Sequence, residues 1–190
     1  MKRCAWVEDT FEEYIAYHDQ EWGVPVHDDR KHFESLTLES AQSGLSWATI
    51  LKKRAGYREA FAGFDFEKVA SYDQQKYEEL LLNPGIIRNK LKISATINNA
   101  QKFIEVIEEF GSFDNYIWRF VDGEPIVNQW VDHRDAPSKS ALSYQVSKDL
   151  KKRGFKFVGS TTIYSQLEAS GLMNNHTVNC FRYQEIIDSY

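Results

Sequence analysis

Asn83-Pro84-Gly85-Ile86-Ile87-Arg88-Asn89-Lys90 lies between the apolar segment Tyr77 to Leu82 and the most regular helical pattern in the chain. In that pattern Ile93, Ile97, Ala100, Ile104 and Ile107 recur at steps of four, three, four and three, the spacing of one buried helical face, and Gly111 stands where the helix would stop. This predicts a helix over about 89–109, joined through a tight Pro-Gly hairpin to a preceding helix, the pair spanning about 74–109. Backbone N–H groups at the start of the second helix can meet a DNA phosphate there, with Gly85 in the turn and Arg88, Lys90 and Lys92 supplying charge. Many helix pairs turn on Pro-Gly with no ligand, so the hairpin alone leaves DNA binding open.

Outward from the hairpin, the reading stays helical. Phe33, Leu36, Ser40, Gly44, Trp47 and Leu51 keep a helical step, predicting a helix over about 30–52, thinned or broken near Gly44. Leu142, Val146 and Leu150 alternate with serines and basic residues, predicting a helix over about 138–153 that stops at Gly154, and a further helix fits 162–169 with Gly171 after it. Phe155 to Val158 alternates like a strand but is too short to carry one. The expected class is all-α. With no repeat, low-complexity tract or flexible linker, residues 1–190 read as one domain.

The 190-residue composition, 42% hydrophobic and 27% charged, is that of an ordinary globular domain. No apolar run approaches the roughly 20 residues of a membrane helix and no signal segment opens the chain, so a cytoplasmic location is expected. A net charge of −5 argues against wholesale coating of nucleic acid, but the charges are segregated. Lys52, Lys53 and Arg54, then Arg88, Lys90 and Lys92, then Lys148, Lys151, Lys152, Arg153 and Lys156 form basic clusters, and acids concentrate elsewhere. Such clusters fit either a DNA-facing surface or solvated helix faces.

Two further constellations carry chemistry. Cys4 and Cys180, the only cysteines, lie at opposite ends of the chain, each with a histidine nearby, His18 and His176. A helix would put His176 and Cys180 on one face. Two thiolates and two imidazoles complete a tetrahedral zinc shell with no open position, hence a structural one; equally, the cysteines can be small buried apolar residues. His27, His32 and His133 have no comparable partners. The other constellation is aromatic, Trp6, Tyr14, Tyr17, Trp22 and Trp47, with Glu39 eight residues before Trp47. Such residues usually build a core, yet a flipped purine needs flat faces and a polar group for its edge, which this set can supply.

At these residues the chain resembles the DNA-3-methyladenine glycosylase I family. The matching segments are Arg3-Cys4-Ala5-Trp6-Val7, Tyr14 to Asp19 with Glu21-Trp22-Gly23-Val24-Pro25, Gly44-Leu45-Ser46-Trp47 with Leu51 to Arg54, Gly85-Ile86-Ile87-Arg88, and Lys151 to Gly159. They run in order over essentially the whole chain. The resemblance implies an all-α helix-hairpin-helix glycosylase fold and one structural zinc on Cys4, His18, His176 and Cys180 joining the two chain ends. It implies that Glu39 and Tyr17 hydrogen-bond the damaged base, that Trp47 stacks on it, and that Trp6 and Trp22 wall the pocket. The activity implied is excision of 3-methyladenine from double-stranded alkylated DNA, and a monomer is the default expectation because such an enzyme gains nothing obvious from symmetry. With no Schiff-base lysine, the free base would leave and an abasic site remain. Two features stand apart: Ile87 replaces a usual second hairpin glycine, and Asp132 and Asp135 read as loop residues rather than as a sugar-side acid.

Overall fold

The computed structural model describes residues 1–190, and nearly all of its regular secondary structure is helical. Ten α-helices follow one another: α1 (Glu12–Gln20), α2 (Asp29–Gln42), α3 (Trp47–Ala60), α4 (Phe66–Ala70), α5 (Gln74–Leu82), α6 (Lys90–Phe110), α7 (Phe113–Trp118), α8 (Ala141–Lys152), α9 (Ser160–Ala169) and α10 (Phe181–Ile187). The sheet content is one parallel pair, β1 (Ile126–Val127) with β2 (Met173–Asn174), in register Ile126 to Met173. The short alternation at 155–158 forms no strand.

Helix α6 begins and ends for the expected reasons. Asn89 caps it by accepting from the Lys92 N–H at 3.1 Å, and Gly111 closes it in the left-handed region at φ +84°. The buried stripe is broader than the isoleucine face, running through Ile93, Thr96, Ala100, Phe103 and Val106 with Ala95 and Asn99 beside it. Thr96 and Asn99 tolerate burial because their polar groups are used: Thr96 Oγ1 donates to Lys92 O, and Asn99 bonds the backbone N–H and carbonyl of Lys156. Phe103 then stacks on Phe113 with centroids 4.1 Å apart and meets Phe33 at 5.4 Å, at the centre of a cluster of 29 buried residues.

The expected helix over 30–52 is two helices. Gly44, at φ +78°, breaks the chain, and Ser46 restarts it by accepting from the Thr49 N–H at 3.2 Å, so Trp47 becomes the first residue of α3. Helices α8 and α9 stop at Gly154 (φ +91°) and Gly171 (φ +70°) as expected. α9 packs between α2 and α8.

The hairpin between α5 and α6 is held against α3 rather than standing free. A Cβ on Gly56 would lie 2.2 Å from Gly85 O, so the two backbones touch there and Gly56 has no room for a side chain. Gly85 is not in the left-handed region, and a Cβ there would press on Asn83 Oδ1 at 3.0 Å. Lys53 Nζ donates to Pro84 O at 2.8 Å, the Tyr57 hydroxyl accepts from the Ile87 N–H at 3.3 Å, and Asn83 Oδ1 accepts from the Gly85 N–H at 2.8 Å. Ile86 is buried and Ile87 half-buried against the core, which gives the residue at the second-glycine position an anchoring role.

Candidate active site

Three helices each send a pair of residues, three apart and therefore on one face, toward a single cavity of about 230 Å³. α1 contributes Tyr14 and Tyr17, α2 contributes Glu39 and Gln42 from its last turn, and α9 contributes Ser165 and Glu168. Trp47 enters from the start of α3, Trp6 and Trp22 from the flanks of α1, and His133, Ala136 and Asn175 from loops. Tyr17 and Trp47 lie with ring centroids 5.1 Å apart, Trp6 meets Tyr14 at 5.5 Å, and Trp6 meets Trp22 edge to face at 5.0 Å. The cavity therefore has aromatic walls and a carboxyl group, the two things a flat polar base needs.

The polar groups are costly to keep there without a ligand. Glu39 Oε2 and Trp47 Nε1 are buried and have no hydrogen-bond partner. Burial pushes the Glu39 carboxyl up to about 8, with the charge of Glu168 adding to the rise. Burial likewise pushes Glu168 up to about 7, against the opposing hydrogen bond from Asn175. The Tyr17 hydroxyl is held well above its ordinary value by burial and by Glu39, so it stays protonated and can donate.

The second constellation also comes together. Cys4, His18, His176 and Cys180 are all buried, and their donor atoms lie within 4.8 Å of one another, a set that can hold a metal ion. Cys4 Sγ and Cys180 Sγ are each 3.5 Å from His176 Nδ1, and Cys180 Sγ is 3.6 Å from His18 Nε2. The ring nitrogens turned away are bonded too: His18 Nδ1 to Asp19 at 2.7 Å, with Asp19 gripped by Arg3, and His176 Nε2 to the Trp22 carbonyl at 2.9 Å. His176 and Cys180 are not on one helix face as expected; they sit in the loop after β2, and Cys180 precedes α10. The His18 ring lies 5.1 Å from Trp6 and the His176 ring 4.6 Å from Trp22, so the histidines of this cluster back the cavity wall.

The basic residues divide. Arg88 and Lys90 are exposed at the hairpin and make no ion pair. Lys92 is corrected: its ammonium donates to Ala41 O at 2.8 Å and Ser43 O at 2.6 Å, closing the C-terminus of α2 beside Glu39 and Gln42 rather than reaching outward. Arg54 pairs with Glu21 and Glu34, and Arg153 with Glu109 and Asp149, so both are structural. Lys148, Lys151, Lys152 and Lys156 remain exposed. Asp132 is engaged by Arg134, which holds its carboxyl far below the usual range, and neither Asp132 nor Asp135 lines the cavity. Their neighbour His133 does line it, as do Gln42, Ser165, Glu168 and Asn175, none of which the sequence had marked for this role.

The methyladenine glycosylase family model matches residues 6–183. The chain is 46% identical over 184 residues to DNA-3-methyladenine glycosylase 1 of Escherichia coli (strain K12), covering 96% of this chain and 97% of that one. It is 43% identical to DNA-3-methyladenine glycosylase of Haemophilus influenzae (strain ATCC 51907 / DSM 11121 / KW20 / Rd), covering 94% and 96%. The structure is similar, at a TM-score of 0.92 and 39% identity, to one solved for 3-methyladenine recognition by 3-methyladenine DNA glycosylase I from Staphylococcus aureus, covering 96% and 97%.

Proposed function

Because the chain belongs to the methyladenine glycosylase family, we propose that it is a monofunctional DNA glycosylase excising 3-methyladenine from alkylated duplex DNA, through roles assigned below to individual cavity residues. The observation that carries the reading is the aromatic cavity with the buried, unpartnered Glu39 carboxyl in its wall. Methylation at N3 puts a positive charge on the purine and weakens the glycosidic bond before any protein group acts. The flipped base stacks on Trp47 within the walls made by Trp6 and Trp22, and Glu39 and Tyr17 hold its polar edge. As the bond breaks, the electron pair stays with the leaving base, the sugar gains oxocarbenium character, and water completes hydrolysis. Burial keeps the Glu39 proton in the empty cavity, and a cationic base favours the ionised carboxylate by charge attraction that a neutral adenine lacks, so selection and catalysis share one device. No lysine lines the cavity, which supports release of the base without a Schiff-base intermediate or strand cleavage.

DNA is held, on this reading, by a helix-hairpin-helix formed by α5, α6 and the turn at Gly85. The exposed side chains of Arg88 and Lys90, together with the free N–H groups opening α6, meet phosphate. Zinc is the metal that suits the four-ligand cluster. Bonds of about 2.3 Å to sulfur and 2.0–2.1 Å to nitrogen at the tetrahedral angle set sulfur and nitrogen about 3.5–3.6 Å apart, and the sulfur–nitrogen distances printed above fall there. Cys4, His18, His176 and Cys180 would hold the ion with no place left for water, so its part would be to tie residues 4 and 180 together beside Tyr17, Trp6 and Trp22. A monomer in the cytoplasm suffices for this activity.

The test is incubation with methylated duplex DNA, with chromatography of the released bases and electrophoresis of the strands. Release of 3-methyladenine with unbroken abasic strands supports the reading. Binding without release replaces it with recognition alone.

A further inference from the structure

The cavity contains a second carboxyl group to which the reading above gives no part. Glu168 lies on α9 and lines the cavity with Glu39. Its Oε1 accepts from Asn175 Nδ2 at 2.6 Å, and the same amide group reaches the Tyr164 hydroxyl at 2.8 Å. At its other end Asn175 Oδ1 accepts from Asn128 Nδ2 at 2.7 Å and Trp130 Nε1 at 3.0 Å. Two donors on the oxygen fix the amide's orientation, so Asn175 can only donate toward Glu168. Glu168 is thereby held through one oxygen in a built polar frame, and Oε2, which bonds no protein group, is left to the cavity.

A carboxylate oxygen in that position discriminates between purines. The edge of adenine offers the N7 acceptor beside the N6 amine donor, whereas guanine offers two acceptors, N7 and O6. The geometry points to Glu168 as a specificity-determining residue, whose Oε2 accepts from the exocyclic amine of bound 3-methyladenine and opposes the O6 oxygen of 3-methylguanine. This rests on the glycosylase reading.

Glu168→Gln tests this cleanly, since the amide oxygen can still accept from Asn175 while the cavity-facing acceptor becomes a donor. Single-turnover excision is measured on duplexes carrying 3-methyladenine or 3-methylguanine, for the wild type and the variant. Excision of 3-methyladenine is expected to fall about tenfold or more while that of 3-methylguanine does not fall. Loss of less than twofold on 3-methyladenine, or an equal loss on both bases, overturns the role of Glu168. A wild-type protein that releases neither base instead rejects the glycosylase reading, so the two failures are distinct. If the variant does not fold, the carboxyl carbon resonance of Glu168 is followed in wild-type protein as free 3-methyladenine is added. A shift that saturates with binding is expected, and an unmoved resonance in the saturated complex overturns the proposal.

Discussion

Glu39→Gln is expected to make the ligand-free protein more stable while disabling it. The native state holds the Glu39 proton up to about pH 8, against an ordinary value of 4.5 in the unfolded chain. Between those values the folded protein binds a proton that the unfolded chain has released, so stability falls as pH rises through this window and no cost remains below it. From 4.5 to pH 7, at about 1.4 kcal/mol per pH unit, the cost reaches about 3 kcal/mol. Glutamine carries no such cost, and Glu168 titrates in both proteins. At 2–4 °C per kcal/mol for a chain of this size, the variant's thermal midpoint rises by about 6–12 °C at pH 7 and by at most about 3 °C at pH 5. Calorimetry of both proteins at pH 5, 6, 7 and 8 without base measures this directly. In parallel, excision of 3-methyladenine falls by about 10²-fold or more. An equal or lower midpoint for the variant at pH 7, or a difference that does not grow with pH, refutes the view that a buried, unpartnered carboxyl stands in the cavity wall.

Gly56→Ala sets two effects against each other: alanine favours a helix interior by about 1 kcal/mol, but its Cβ would lie 2.2 Å from Gly85 O. The clash wins, and urea denaturation is expected to show a net loss of about 1–3 kcal/mol; a stabilised variant contradicts the close approach. Lys92→Met should cost about 1–3 kcal/mol by orphaning the Ala41 and Ser43 carbonyls, yet leave the salt dependence of DNA binding unchanged. Arg88→Ala should do the reverse, lowering the slope of log K against log salt by about 1 without loss of stability. On the zinc proposal, the purified protein is expected to carry one zinc per chain by elemental analysis, and its removal by a chelator, or Cys4→Ser, to lower the thermal midpoint and expose the chain ends to protease. An unchanged midpoint with reversible loss of excision would make the metal catalytic.

Helix ends were the most readable feature, because Gly111, Gly154 and Gly171 mark them by a backbone conformation that side chains avoid. Buried faces were less so: the α6 stripe includes Thr96 and Asn99, polar residues whose burial depends on partners from distant segments. α1 and α10 escaped notice because they are short and mixed in polarity, their positions resting on the chain ends meeting at the Cys4 cluster. The β1–β2 pair is two residues long, below any periodicity. Tyr17, Glu39 and Trp47 were legible through family resemblance and do share one cavity. Glu168 was not, since an acid between Leu167 and Ala169 looks like a solvated helix position until Asn175 is placed against it. Lys92 shows the opposite case, a cation whose position beside the hairpin suggests phosphate but whose ammonium serves two backbone carbonyls.

The most direct test of the central claim is a crystal structure of this protein with free 3-methyladenine. The base is expected to stack on Trp47, its polar edge within hydrogen-bond distance of Glu39 and Tyr17, in the cavity also lined by Trp6 and Trp22. A base bound elsewhere, or in that cavity without contact to Glu39, would contradict it.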